Sequence, residues 1–215
     1  MRSFPFIASL ALVVSAGCQS AYYGVMEKFG VEKRDILVDR VEEGRDAQKD
    51  AKQQFQSALD AFKSVTDFDG GELEEQYEHL KSEYDDTSDR VDDVGDKLES
   101  IESVATDLFA EWKAEIDQIS SADLEAQSRK LLADTKKRYG DLMAAMKKAE
   151  AKMQPVLVAF NDRVLFLKHN LNAQAIASLS NQVGEIDGKV QELVRDMEAS
   201  IAEADAFIAA MDSAN

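Results

Sequence analysis

The feature that most limits what this chain can fold into is a run of mostly apolar residues spaced alternately four and three apart. It passes through Leu37, Val41, Gly44, Gln48, Ala51, Phe55, Ala58, Phe62 and Val65. It restarts at Leu73 and continues through Tyr77, Leu80, Tyr84, Thr87, Val91, Val94, Leu98, Ile101, Ala105 and Leu108 to Trp112. A third run leads from Leu132 through Tyr139, Leu142, Met146, Ala149, Met153 and Val156 to Phe160. A fourth leads from Ile176 through Leu179, Ile186, Val190, Leu193, Met197, Ala204 and Phe207 to Met211. Side chains three and four apart share one helix face, and a sustained seven-residue repeat packs helices along a continuous seam. No stretch alternates with the period of two that a strand needs. Two prolines and ten glycines in 215 residues leave few places to turn. The pattern predicts an all-α protein.

Three short breaks divide the runs. Gly70 and Gly71 supply the positive φ that a chain leaving a helix often needs. Ser120-Ser121-Ala122-Asp123 reads as a capping box, with Ser120 as cap and Asp123 reaching back. Asn170 and Asn172 suit the end of one helix and the cap of the next. Helices are expected near 34–67, 72–119, 122–169 and 172–211, and short connections make neighbours antiparallel. The second and third are the longest. The expected fold is therefore an elongated antiparallel four-helix coiled-coil bundle, with the hairpin of helices two and three protruding as a tip around Ser120.

Two groups in this frame are candidates for contact with something else. Phe109 and Trp112 fall near the tip, where they either finish the core or form a partner surface. Beyond Pro155, which interrupts helix three, the segment VLVAFNDRVLFLKHNL (156–171) places Val156, Phe160, Val164, Phe166 and Leu167 on most faces of the helix. A helix apolar all round must be surrounded. Bundle core, an apolar ligand such as a lipid chain, or a second copy of the chain would each serve.

The N-terminus has its own logic. Met1-Arg2, the apolar FPFIASLALVV (4–14) and the small residues before Cys18 make a signal peptide over residues 1–17. That apolar stretch is too short to span a bilayer, which takes about 20 residues. LVVSAGCQS (12–20) holds the chain's single cysteine, and Ala16-Gly17-Cys18 matches the bacterial lipobox, although Ser15 departs from it. Cys18 is thus expected to be a lipid attachment point. A catalytic thiol needs a pKa-lowering partner, and the nearest histidine is His79. Residues 18–33 would be a linker carrying Tyr22, Tyr23, Met26 and Phe29, and residues 34–215 the helical domain. The aromatic linker suits either a bilayer headgroup zone or the folded body.

Charge removes several function classes. Losing Arg2 with the leader leaves 24 basic residues against 42 acidic, or −18. Such a chain repels nucleic acid. Residues 67–99 carry 14 carboxylates against three basic residues, including Asp85-Asp86-x-x-Asp89. In the heptad register Asp85, Asp86, Asp89, Asp92, Asp93 and Asp96 face outward, whereas a catalytic metal needs converging carboxylates in a walled cavity. The basic residues of helix three, among them Lys147, Lys148 and Lys152, are expected to pair in part with helix two. His79 and His169 lack a second ligand at zinc spacing. No nucleotide-binding or hydrolase motif is present. No catalytic residue, metal or cofactor is expected.

The segment CQSAYYGVMEKFGVEKRDILVDRVEEGRDAQKDAKQQF resembles a proteobacterial lipoprotein family known as domain of unknown function 2959. FKSVTDFDGGELEEQY, AEAKMQPVLVAFNDRVLFLKHNLNAQAIASL and SIAEADAFIAAM resemble the same family. The resemblance implies an envelope lipoprotein and brings no activity or catalytic residue with it. Similarity to lipoproteins in general makes Gln19 a signal for the outer membrane. The expectation is a non-enzymatic periplasmic scaffold or spacer, tied by lipidated Cys18 to the membrane and meeting another envelope protein or peptidoglycan. The alternative is a module holding an apolar ligand near residues 156–171. Association with a second copy stays open.

Overall fold

A computed structural model describes residues 33–68, 70 and 72–213. Five helices follow in order: α1 (Lys33–Thr66), α2 (Leu73–Ile116), α3 (Ala122–His169), α4 (Ala173–Ser180) and α5 (Val183–Asp212). Among the described residues there is no strand. At 1.5 Å per residue, the 48 residues of α3 span about 72 Å. Each of α1 and α3 packs against both α2 and α5, so the four long helices occupy the corners of a bundle, and α4 leans on α1.

Cross-helix pairs fix the directions. Between α1 and α5, Arg45 meets Asp205 at 3.0 Å, Lys52 meets Glu198 at 3.4 Å and Lys63 meets Asp187 at 2.6 Å. One number rises as the other falls, so these helices are antiparallel. Lys148 on α3 meets Asp196 on α5 at 2.8 Å and Lys152 meets Glu192 at 2.5 Å, again in antiparallel order, and Lys152 also reaches Asp196. Lys147 reaches α2 at Glu102, and Lys136 lies over the ring of Phe109 on the same helix. The basic face of α3 therefore serves the α5 seam as well as the expected α2 seam.

The first run explains α1. Leu37, Val41, Gln48, Ala51, Phe55, Ala58, Phe62 and Val65 are all fully buried, at 0 % exposure. Phe62 meets Phe160 of α3 edge to face, with ring centroids 6.4 Å apart. One layer of the seam is polar. The Ser200 hydroxyl donates to Gln48 Oε1 at 2.7 Å, and Gln48 Nε2 donates to the Met146 carbonyl at 3.4 Å. This contact ties α1, α3 and α5 at one level, and a buried polar layer of this kind penalises register slips.

The ends differ in part from expectation. Gly70 does adopt a positive φ, 144°, past α1. Asn172 caps α4 by accepting from the Ala175 amide at 3.0 Å. The box at Ser120 does not form. α3 starts one residue later than that box requires, with Ser121 at the cap position and no side-chain cap bond. Its carbonyl still accepts from Glu125 N at 2.9 Å. The fourth run is also split, into α4 and α5, by a turn at Asn181-Gln182. Three polar side chains compete there with helix geometry. Ser180 Oγ donates to the Thr66 and Ile176 carbonyls, Asn181 Nδ2 donates to the Ala177 carbonyl, and Gln182 Oε1 accepts from Arg163 at 2.8 Å.

The seam ion pairs carry a pH dependence. Hydrogen bonds from Lys148 and Lys152 hold the Asp196 carboxyl below the usual carboxylate range, Lys152 does the same for Glu192, and Arg129 for Asp117. A carboxyl depressed on folding contributes stability above its unfolded pKa and loses it as pH falls through the folded value. The melting temperature should therefore be flat between pH 6 and 8 and fall below about pH 4. Circular dichroism melts at pH 7 and pH 3 check this. A rise on acidification would mean that relief of the −17 net charge outweighs the pairs.

Candidate functional site

The end of the bundle where α1 begins is its most distinctive surface. Lys33 Nζ sits 2.8 Å from Glu111 on α2. The Arg34 guanidinium donates to the Met211 carbonyl near the end of α5. Both contacts lie beside Trp112, so among the described residues α1 and α5 end at this level while α2 and α3 continue past them as a two-helix tip.

That tip is held together mainly by its own contacts. Trp112 Nε1 donates to Ser128 Oγ across the hairpin at 3.1 Å. Arg129 reaches Asp117 and Glu125, both at 2.8 Å, and so braces the turn. Ile116 is 1 % exposed, but Leu124 and Leu131, seven residues apart on one face of α3, are 57 % and 55 % exposed.

Phe109 and Trp112 take different roles. Phe109 is buried, meets Tyr139 edge to face at 5.4 Å, and carries Lys136 Nζ 5.4 Å from its ring centroid. Burial, with the nearby Glu102 charge, pushes the Tyr139 hydroxyl up to about 12. It stays protonated at neutral pH and is no base. Trp112 is half-buried and faces a cleft of about 300 Å³. Leu131, Phe207 and Met211 line the same cleft, with Arg34 and Arg138 among its polar members. Sequence reasoning missed Leu124 and Leu131 because they lie off the seam. Their seven-residue spacing outside the core register was the available signal.

The segment 156–167 separates into two faces. Val156, Phe160, Val164 and Leu167 are buried in the bundle core. Phe166 is 39 % exposed, and Val158 and Leu165 are more exposed still. The acidic stretch of α2 is a wet face, with Asp85, Asp86, Asp89, Asp92 and Asp96 exposed and Asp93 half-buried. Among the described residues no three His, Cys, Asp or Glu side chains gather as a metal-binding group. His79 lies 3.8 Å from Glu83, and His169 is exposed at the last residue of α3. Among the described residues no helix is long and apolar enough to cross a membrane. Cys18, the expected signal segment 1–17 and the aromatic residues Tyr22, Tyr23, Met26 and Phe29 lie outside the described residues.

Fold and cleft together define an all-α antiparallel bundle protein with an apolar recess at one end. The chain belongs to the family described as "Protein of unknown function (DUF2959)", whose model matches residues 22–211. No curated protein and no solved structure matches it.

Proposed function

We propose that the protein is a bacterial envelope lipoprotein, anchored through Cys18 to the inner leaflet of the outer membrane and facing the periplasm. There it works as a non-enzymatic helical spacer or scaffold for another envelope component, a protein or peptidoglycan. The observation that carries this reading is the chain's single cysteine, set in LVVSAGCQS fifteen residues before Lys33. Acyl chains contribute about 0.8 kcal/mol per buried CH₂, so two or three of them on one residue hold a protein at a membrane. A bundle about 70 Å long suits a spacer.

The test is intact-mass measurement and membrane fractionation of the full chain expressed in a Gram-negative host. The wild type should carry acyl mass on Cys18 and sediment with outer membranes. Cys18→Ser should lose that mass and leave the outer-membrane fraction, with helical circular dichroism unchanged. A wild-type product with a free thiol in the soluble periplasmic fraction would overturn the reading. Cross-linking in intact envelopes that captures neither protein nor peptidoglycan would overturn the scaffold role.

A further inference from the structure

We infer that the outward face of α3 is a docking surface for a second copy of the chain, whose own α3 lies antiparallel to it across Gln154 and Pro155.

The helix period builds that face. Met146, Met153 and Phe160 are buried in the core, and Lys147 and Lys148 turn to Glu102 of α2 and Asp196 of α5 on either flank. With 3.6 residues per turn, the side of α3 turned away from the core carries Ala144, Ala151, Val158 and Leu165, seven apart. All four are exposed, Val158 at 48 % and Leu165 at 49 %. An apolar seven-residue repeat on the outside of a helix is a second seam, and the long helices of the same chain already fill the first.

The order of residues along this seam makes it complementary to itself. A two-fold axis between Gln154 and Pro155 sets Leu165 opposite Ala144 of the second copy and Val158 opposite its Ala151, and repeats both pairs on the other side. Each larger side chain meets a small one, which lets the helices approach closely. The same register sets the exposed Asp162 opposite Lys147 of the second copy, with Lys148 alongside. Those lysine side chains are 49 % and 64 % exposed, so they are open to a second carboxylate. A parallel pairing would place Asp162 against Asp162 and the lysines against lysines, so charge selects the antiparallel one. Charge also selects this helix. Residues 140–166 carry four basic and three acidic side chains in a chain of net charge −17, whereas the acidic stretch of α2 repels its own copy. From Ala144 to Leu165 the contact runs about 32 Å along each helix, a small interface, so monomer and dimer should exchange with concentration. The hairpin tips point away from each other and stay uncovered, and the pairing requires no acylation of Cys18.

The chain carrying Cys18→Ser has no other cysteine and serves as the parent for the test. Light scattering should show its mass rising from one chain toward two between about 1 μM and 1 mM. Adding Val158→Glu and Leu165→Glu should hold the mass at one chain, with the helical signal unchanged because both side chains are exposed. For the register, parent chains carrying Ala144→Cys, parent chains carrying Leu165→Cys and an equal mixture of the two are oxidised with copper–phenanthroline. The mixture should yield a disulfide-linked pair, and either variant alone should yield little. A mass of one chain at the highest concentration, a dimer that survives both glutamates, or a mixture that fails to link would each overturn the inference. Linking of either variant alone as fully as the mixture would mean a parallel pair and would overturn it too. So would binding of the parent to phosphatidylethanolamine–phosphatidylglycerol vesicles that the two glutamates abolish, which would make lipid the occupant.

Discussion

Phe160→Ala should destabilise the bundle by about 3–5 kcal/mol, the usual cost of emptying a buried phenylalanine site. Phe160 is 1 % exposed and sits edge to face with Phe62, which is fully buried. Removing the ring loses its transfer free energy and the aromatic pair, and it leaves a hole lined by apolar side chains that water gains nothing by entering. For a domain of this size each kcal/mol moves the melting temperature by about 2–4 °C, so the loss should be on the order of 10 °C. Phe166→Ala, six residues on in the same helix, is the control. Phe166 is 39 % exposed, so its removal should cost well under the core value. Urea unfolding of the two variants separates the cases. Equal losses would mean that residues 156–167 do not divide into a core face and a wet face.

Gly44→Leu should be the second severe change, through crowding and not through loss. A Cβ built at Gly44 would stand 2.8 Å from Ile101 Cδ1 and 3.1 Å from Met146 Cε. Those are the ends of flexible side chains, so a single methyl can be accommodated by small shifts. A leucine has no such room and must displace residues from α2 and α3 together. Overpacking of this kind costs about 1–3 kcal/mol and sometimes more. Gly140→Ala makes the contrast, since nothing lies within 4 Å of its Cβ position. It should stabilise by about 0.5–1 kcal/mol, because glycine is the poorer residue inside a helix. Thermal melts of both variants check the sign of each. A stabilising Gly44→Leu would mean that α1 stands further from α2 and α3 than described.

The same two residues show how far the sequence could be read. Phe160 and Gly44 fall on the four-and-three runs, and the periodicity alone put them on the seam. That logic works because burial in a bundle depends on a residue's angle around its own helix, which the sequence records. It fails where the outcome depends on several segments meeting. The turn at Asn181-Gln182 arises from Ser180 reaching the end of α1 and from Arg163 reaching Gln182, contacts invisible in the local pattern. The start of α3 lies one residue later than the box requires, and Ser121 makes no side-chain cap bond there, so the serines do not set it. Pairing of Lys148 and Lys152 with α5 depends on which neighbour α3 presents them to, which composition does not encode. The cleft is the clearest case, since it is made by the ends of α1 and α5 meeting α2 and α3. Trp112 was legible as a candidate, whereas Leu131 and Arg34 became part of a site only once those ends were placed.

The claim on which the rest depends is that this rod is tied at the end that bears the hairpin tip. Lipidated protein in liposomes, with a dye at Ser120 or at Leu171 and a collisional quencher attached to lipid headgroups, tests it directly. The two positions lie at opposite ends of α3, about 70 Å apart. Strong quenching at Ser120 with little at Leu171 is the expected result. Equal quenching at both, or stronger quenching at Leu171, would contradict it.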